Sequence, residues 1–211
     1  MARQERAIET RRRLLVGAAQ VFDERGYAAA SINEIQERSG VTKGAMYFHF
    51  ASKEDIARGV MAVQTEIPIG TSGRAASPMQ QVVDLTHDLA HRLRTDVLFR
   101  ASIRLTVERG TFQVNDADPY DWWLRIFGRE LARAQGAGEL REDLVPEDVA
   151  ASVVGSFTGI QMLSHVVSGR RDLHDRLTRW WQQILPGIAT PEALRTVRPA
   201  GTPGPGRPDG A

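Results

Sequence analysis

Apolar side chains recur along the chain at intervals of three and four, the period of helices that bury one face. Leu15, Ala18, Ala19 and Phe22 form the first such stripe, and Gly26 ends it as a left-handed cap would. Ser31-Ile32-Asn33-Glu34 fits a capping box, in which a serine oxygen caps the helix and a glutamate three residues on reaches back. This second helix is short and closes at Ser39-Gly40. Val41-Thr42 opens a third, with Thr42 as its N-cap, and Ser52-Lys53-Glu54-Asp55 caps a fourth that runs toward Ile67-Pro68.

Residues 69–78 are rich in Gly, Ser and Thr and read as a loop or linker. The helical period returns in Val82, Leu85, Leu89 and Leu93, continues over 100–108, and gives way to a loop over 110–119. Trp123, Phe127, Leu131 and Ala134 share the next stripe. Pro146 suits the first turn of a helix that is apolar on nearly all sides, through Val149, Val153, Val154, Phe157, Ile160 and Leu163. Such a surface calls for burial on more than one side. A further helix carries Leu173, Leu177, Trp180, Trp181 and Ile184, and Thr190-Pro191-Glu192 starts a short turn. No run alternates long enough for a sheet, so the fold class is all-α. Residues 198–211 contain four prolines and four glycines and are expected to be a disordered tail.

Composition narrows the chemistry. The 211 residues include no cysteine, which excludes disulfides, Cys-ligated zinc, iron–sulfur clusters and thiol nucleophiles. The net charge of +1 is too small to mark a nucleic-acid binder, so any basic patch is local. One such patch is N-terminal, where Arg3, Arg6, Arg11, Arg12 and Arg13 face only Glu5 and Glu9; it is either a solvated helix start or an arm for DNA. The N-terminus lacks the apolar stretch of a signal peptide, and the apolar stretch 149–167 is interrupted by Ser, Thr, Gln and His. A cytoplasmic protein without a membrane partner is expected. Neither a phosphate loop nor a nucleophile elbow occurs, and no enzyme or cofactor is expected. His87 and His91 have the i, i+4 spacing of a helical metal pair but lie opposite the apolar stripe, so they are read as a solvated face, with no metal.

The segment 31–50 carries the most information. A helix-turn-helix needs a bracing helix, a short turn containing glycine, and a second helix whose polar face enters the major groove. Ile32, Ile35, Val41, Phe48 and Phe50 are expected on the buried side. Ser31, Thr42, Lys43, Gly44, Ala45, Tyr47, His49 and Lys53 form the candidate DNA-binding set. Gly44 and Ala45 leave little bulk between backbone and DNA, Lys43 and Lys53 offer cations for phosphate, and Tyr47 offers a hydroxyl. Three packed helices with a solvated face would give the same spacing.

The wording adds specificity. Residues 18–27, Ser31-Ile32-Asn33-Glu34-Ile35, residues 40–50 and Lys53-Glu54 together resemble the DNA-binding domain of TetR-family repressors over about residues 8–65. Residues 42–50, 99–105, Pro119-Tyr120-Asp121-Trp122-Trp123 and Gly138-Glu139-Leu140-Arg141 resemble, within that family, the γ-butyrolactone receptors of streptomycetes. The resemblance implies a three-helix DNA-binding head over residues 1–52, a ligand-binding and dimerisation domain over 53–197, and the tail beyond. It also implies a homodimer, double-stranded operator DNA as a partner, and a γ-butyrolactone-like effector. Those receptors place one tryptophan in the pocket, and its spacing from the flanking strings falls on Trp123, with Trp122 beside it as a departure. Trp123 and Phe127 are the candidate ligand-binding residues. A TetR-type sensor of an antibiotic, drug or other metabolite is the alternative. The Trp180 stripe and the helix containing Gly155 and Gly159 suit a face that pairs with its symmetry mate.

Overall fold

The computed structural model describes residues 2–66, 77–108 and 119–203. Ten α-helices lie in these segments, and one isolated antiparallel bridge, Leu140 to Ala189, is the single β pairing among the described residues. The expected loops over 69–78 and 110–119 lie almost wholly outside the described residues. The chain divides into two compact units, residues 1–67 with 92–119, and residues 68–91 with 120–211.

In the first unit, α1 (Ala2–Ala29), α2 (Ile32–Ser39), α3 (Lys43–His49) and α4 (Lys53–Ala62) pack together with α6 (Val97–Val107). A 3-10 turn, Val63–Glu66, extends α4. Leu14, Phe22, Ile35, Met46, Ile56 and Leu105 are buried at the centre of one apolar cluster drawn from all five helices. A boundary at residue 52 therefore divides a continuous core: α4 and α6 belong with the head because their apolar faces close it. The helix ends follow local chemistry. The Ser31 hydroxyl accepts from the Glu34 amide and the Glu34 carboxylate from the Ser31 amide, which completes the capping box. Gly40 takes a left-handed φ of 63° and returns its amide to the Gln36 and Glu37 carbonyls. Thr42 and Ser52 cap α3 and α4 through Ala45 and Asp55.

The second unit holds the start of α5 (Pro78–Thr95), most of α7 (Pro119–Gly136), α8 (Pro146–Ser168), α9 (Leu173–Ile188) and the single turn α10 (Pro191–Leu194). Trp181 is fully buried, and its indole N–H donates to the Thr86 hydroxyl at 2.8 Å. On α8, Val149, Val153, Val154 and Phe157 turn inward, while Met162, Leu163, Val166 and Val167 are exposed. The chain thus supplies one of the two covers that this helix calls for.

Two expectations are corrected here. The tail does not begin at residue 198. The Arg198 amide donates to Gln80 Oε1 at 2.7 Å, the Thr202 amide donates to Asp84 Oδ1 at 2.6 Å, and Pro199 O lies 2.9 Å from His87 Nε2. The segment 198–203 is held because α5 offers a polar ridge at 80, 84 and 87; residues 204–211 lie outside the described residues. His87, in turn, is 1% exposed and stacks on His174 with Nδ1 atoms 3.2 Å apart, whereas His91 is exposed. The carbonyl of Pro199 can only accept, so His87 carries a proton on Nε2. The pair at 87 and 91 is therefore not one solvated face: the two lie on neighbouring positions of α5, but His87 is covered by His174 and Pro199 while His91 is in solvent.

Candidate functional site

The candidate nucleic-acid face is built on α3. Its seven residues are too few to be stable alone, so its position depends on what it buries. Met46 is 1% exposed and anchors it, with Val41 and Phe50 buried at either end. Phe48, expected on the buried side, is 80% exposed and meets His49 edge-on with ring centroids 5.2 Å apart. The reason is helical phase: Phe48 stands two residues from Met46, about 200° around the axis at 100° per residue. Thr42, Lys43, Gly44 and Tyr47 are exposed, and Ala45 and His49 are half-buried. Together with Phe48 they form one outward surface, led by Lys43 in the first turn of α3. Such a surface offers a cation for phosphate at its start and an aromatic edge beyond it.

Other candidate residues have structural partners. Ser31 is exposed, but its hydroxyl is engaged in capping α2. Those hydrogen bonds from the Ser31 hydroxyl and amide hold the Glu34 carboxyl below the usual carboxylate range. The Lys53 ammonium donates to the carbonyls of Tyr27 and Ala30, both at 2.9 Å, and lies 4.4 Å from the Tyr27 ring centroid. Two of its three protons thus close the α1–α2 corner, leaving one for an external anion. The N-terminal arginines are part of α1 rather than a free arm. Arg13 donates to the carbonyls of Ser39 and Gly40 at 3.1 Å, Arg11 lies over the Phe50 ring, and Arg12 pairs with Glu9. A cation at the α2 C-terminus opposes the partial negative charge there. The spacing of Arg13 from Gly40 gives no local signal of this contact, and sequence reasoning missed it.

In the second unit, α7 turns Trp123 and Phe127 inward, 5% and 2% exposed. Their ring centroids are 6.4 Å apart, and Trp122, half-buried, meets Trp123 edge-on at 4.6 Å. Of the two tryptophans, Trp123 is the one facing the interior. A separate hollow of about 230 Å³ opens on α8 and α9, lined by Ile160, Leu163, Arg176, Arg179, Trp180 and Gln183. Among the described residues, no group of three or more His, Asp or Glu is placed to hold a metal ion.

A helix-turn-helix head joined to a second, larger helical unit defines a class of bacterial DNA-binding regulators. Residues 14–60 match the family model described as bacterial regulatory proteins, tetR family. The chain is 42% identical over 202 residues to the A-factor receptor protein of Streptomyces griseus, covering 95% of this chain and 71% of that one. Its fold is similar to that of CprB from Streptomyces coelicolor in complex with its operator sequence, with a TM-score of 0.78, 28% identity, and coverage of 92% and 96%. It is also similar to a solved gamma-butyrolactone receptor described as ArpA-like, with a TM-score of 0.75, 29% identity, and coverage of 92% and 96%. The chain belongs to the TetR family.

Proposed function

We propose that this protein is a homodimeric transcriptional repressor, released from a pseudo-palindromic operator by a small apolar effector of the γ-butyrolactone type. The outward surface of α3 carries the reading. Thr42, Lys43, Gly44, Ala45, Tyr47, Phe48 and His49 are displayed together on a helix anchored by Met46. Lys43 and Tyr47 contact phosphate and fix register, while the side chains of Tyr47, Phe48 and His49 reach base edges. The solved CprB–operator complex supports this use of a similar head.

The effector lies against Trp123 and Phe127. A flat indole covers a lactone ring, its N–H donates to an oxygen, and neighbouring apolar side chains take an alkyl chain. The similarity to an A-factor receptor and a gamma-butyrolactone receptor supports this class of ligand. Bound effector shifts the population toward a state unable to hold both half-sites. It does so only by its difference in affinity for the two states, about 5.5 kcal/mol for a shift from 1:99 to 99:1. The exposed apolar end of α8, with Trp180 beside it, is the surface that pairs with a second copy.

The test is a gel-shift titration on an operator obtained by genome-wide binding selection, against scrambled competitor, with and without a synthetic γ-butyrolactone. Specific retention released by the lactone is the expected result. Retention that the lactone leaves intact discards this ligand class in favour of another metabolite, and no selected sequence discards the repressor. Trp123→Ala is expected to retain operator binding and lose the response to lactone.

A further inference from the structure

Helix α1 bends at Gly26, whose φ of 75° and ψ of 176° lie outside the helical region. In a straight helix the Tyr27 amide would donate to the Asp23 carbonyl. Here both ends of that rung are taken by α6. The Tyr27 amide donates to Glu108 Oε2 at 2.8 Å, and the Asp23 carbonyl accepts from Arg104 Nη1 at 2.5 Å. Arg104 Nε closes the bridge on Glu108 Oε1 at 2.7 Å. Arg100 holds the Asp23 carboxylate from the same helix, at 2.7 Å. An ion pair of one helix is thereby inserted into the hydrogen-bond ladder of another. Gly26 permits this twice over: a side chain resists its φ, and a Cβ there would stand 2.8 Å from Arg104 Nη2 and both Glu108 oxygens.

Helix α6 by itself does not favour this pair. A carboxylate at its C-terminus opposes the helix dipole, and acid before base is the better i, i+4 order. The order Arg104 then Glu108 is explained by α1, which presents an acceptor to the first and a donor to the second. Past this rung, the chain runs through residues 27–30 into the capping box of α2. Its carbonyls at Tyr27 and Ala30 are gripped by Lys53 of α4.

We propose that Arg104 and Glu108 are positioning residues of the DNA-binding element. By completing the α1 rung they set the angle at which α1 delivers α2 and α3. This role rests on the DNA-binding reading above.

The experiment compares amide hydrogen exchange across the full chain in the wild type, Glu108→Gln, Glu108→Ala and the reversed pair R104E/E108R, followed by gel shifts on the selected operator. Gln keeps an acceptor for the Tyr27 amide but turns its NH2 toward Arg104 Nε, and is expected to fall between the wild type and Glu108→Ala, about threefold from the wild type in exchange and affinity. The reversed pair keeps an ion pair on α6 but sets acceptor against acceptor and donor against donor. It and Glu108→Ala are expected to speed exchange over residues 27–31 about tenfold and weaken operator binding about tenfold, with exchange in α4 unchanged. Wild-type exchange over residues 27–31 in the reversed pair overturns the proposal, as does equal loss in Glu108→Gln and Glu108→Ala. If the reversed pair does not fold, the Gln-to-Ala contrast decides. If the wild type retains no specific operator, the DNA reading fails, and the exchange data still decide whether α6 sets the α1–α2 corner.

Discussion

Phe48 is a large apolar ring whose surroundings disagree with its chemistry. A phenylalanine left 80% exposed on a short helix contributes little to the core, so its removal is expected to change stability by less than about 0.5 kcal/mol. Bound in a major groove, the same ring covers a thymine methyl or excludes water from a phosphate. Phe48→Ala is therefore expected to melt like the wild type yet bind the selected operator about tenfold more weakly, a loss of ~1.4 kcal/mol. A thermal melt beside a gel shift separates the two effects; wild-type affinity would remove Phe48 from the contact surface. This exposure was legible in the sequence by phase, since Met46 and Phe48 stand on opposite sides of any helix. Residue type suggested the opposite. Lys53 shows the other kind of miss: its carbonyl partners lie 23 and 26 residues away, and no local pattern announces them.

At the scale of elements, caps were the most readable feature because their chemistry closes within four residues. Ser31 with Glu34, Thr42 with Ala45, Ser52 with Asp55 and Thr190 with Ala193 all form where the sequence suggests. Contacts that join distant elements were not readable in this way; His87 looked solvated because His174 and Pro199 are far along the chain. The turn between α8 and α9 combines both kinds of contact. Asp172 accepts from Ser164 and Ser168, both at 2.6 Å, and from Arg176 at 2.7 Å. The two hydroxyls and then the guanidinium hold its carboxyl well below the usual aspartate range. A folded-state value below the unfolded one contributes stability above the unfolded value, lost as the pH falls through the folded one. Asp172→Asn is expected to melt lower than the wild type at pH 7, with the gap narrowing as the pH drops below the ordinary aspartate value of 3.8. Melting curves of both proteins from pH 7 to pH 2 check it; a gap constant with pH would exclude the carboxylate as the cause.

For the whole molecule, the number of copies matters as much as the fold of one. A single head with a seven-residue α3 contacts only one short run of base pairs. Two heads joined by symmetry address half-sites about 34–36 Å apart, or a multiple of that spacing, and share one binding event. Under the proposed homodimer, the exposed row Met162, Leu163, Val166 and Val167 is our candidate for the joining surface, since an apolar helix end left in water is offset by a symmetric partner. Val166 is 82% exposed in one copy, so a charge there costs the isolated chain little and the paired chain a great deal. Val166→Asp is expected to sediment as a monomer with a helical content equal to that of the wild type. Its specific operator binding should fall at least a hundredfold, because the effective concentration supplied by the second head is gone. Weak binding to arbitrary DNA should persist and keep its steep dependence on salt, since the phosphate contacts of each head are untouched. A variant that remains dimeric would place the joining surface elsewhere. One that is monomeric yet binds the operator at full strength would show that one head suffices and that the operator has no need of symmetry.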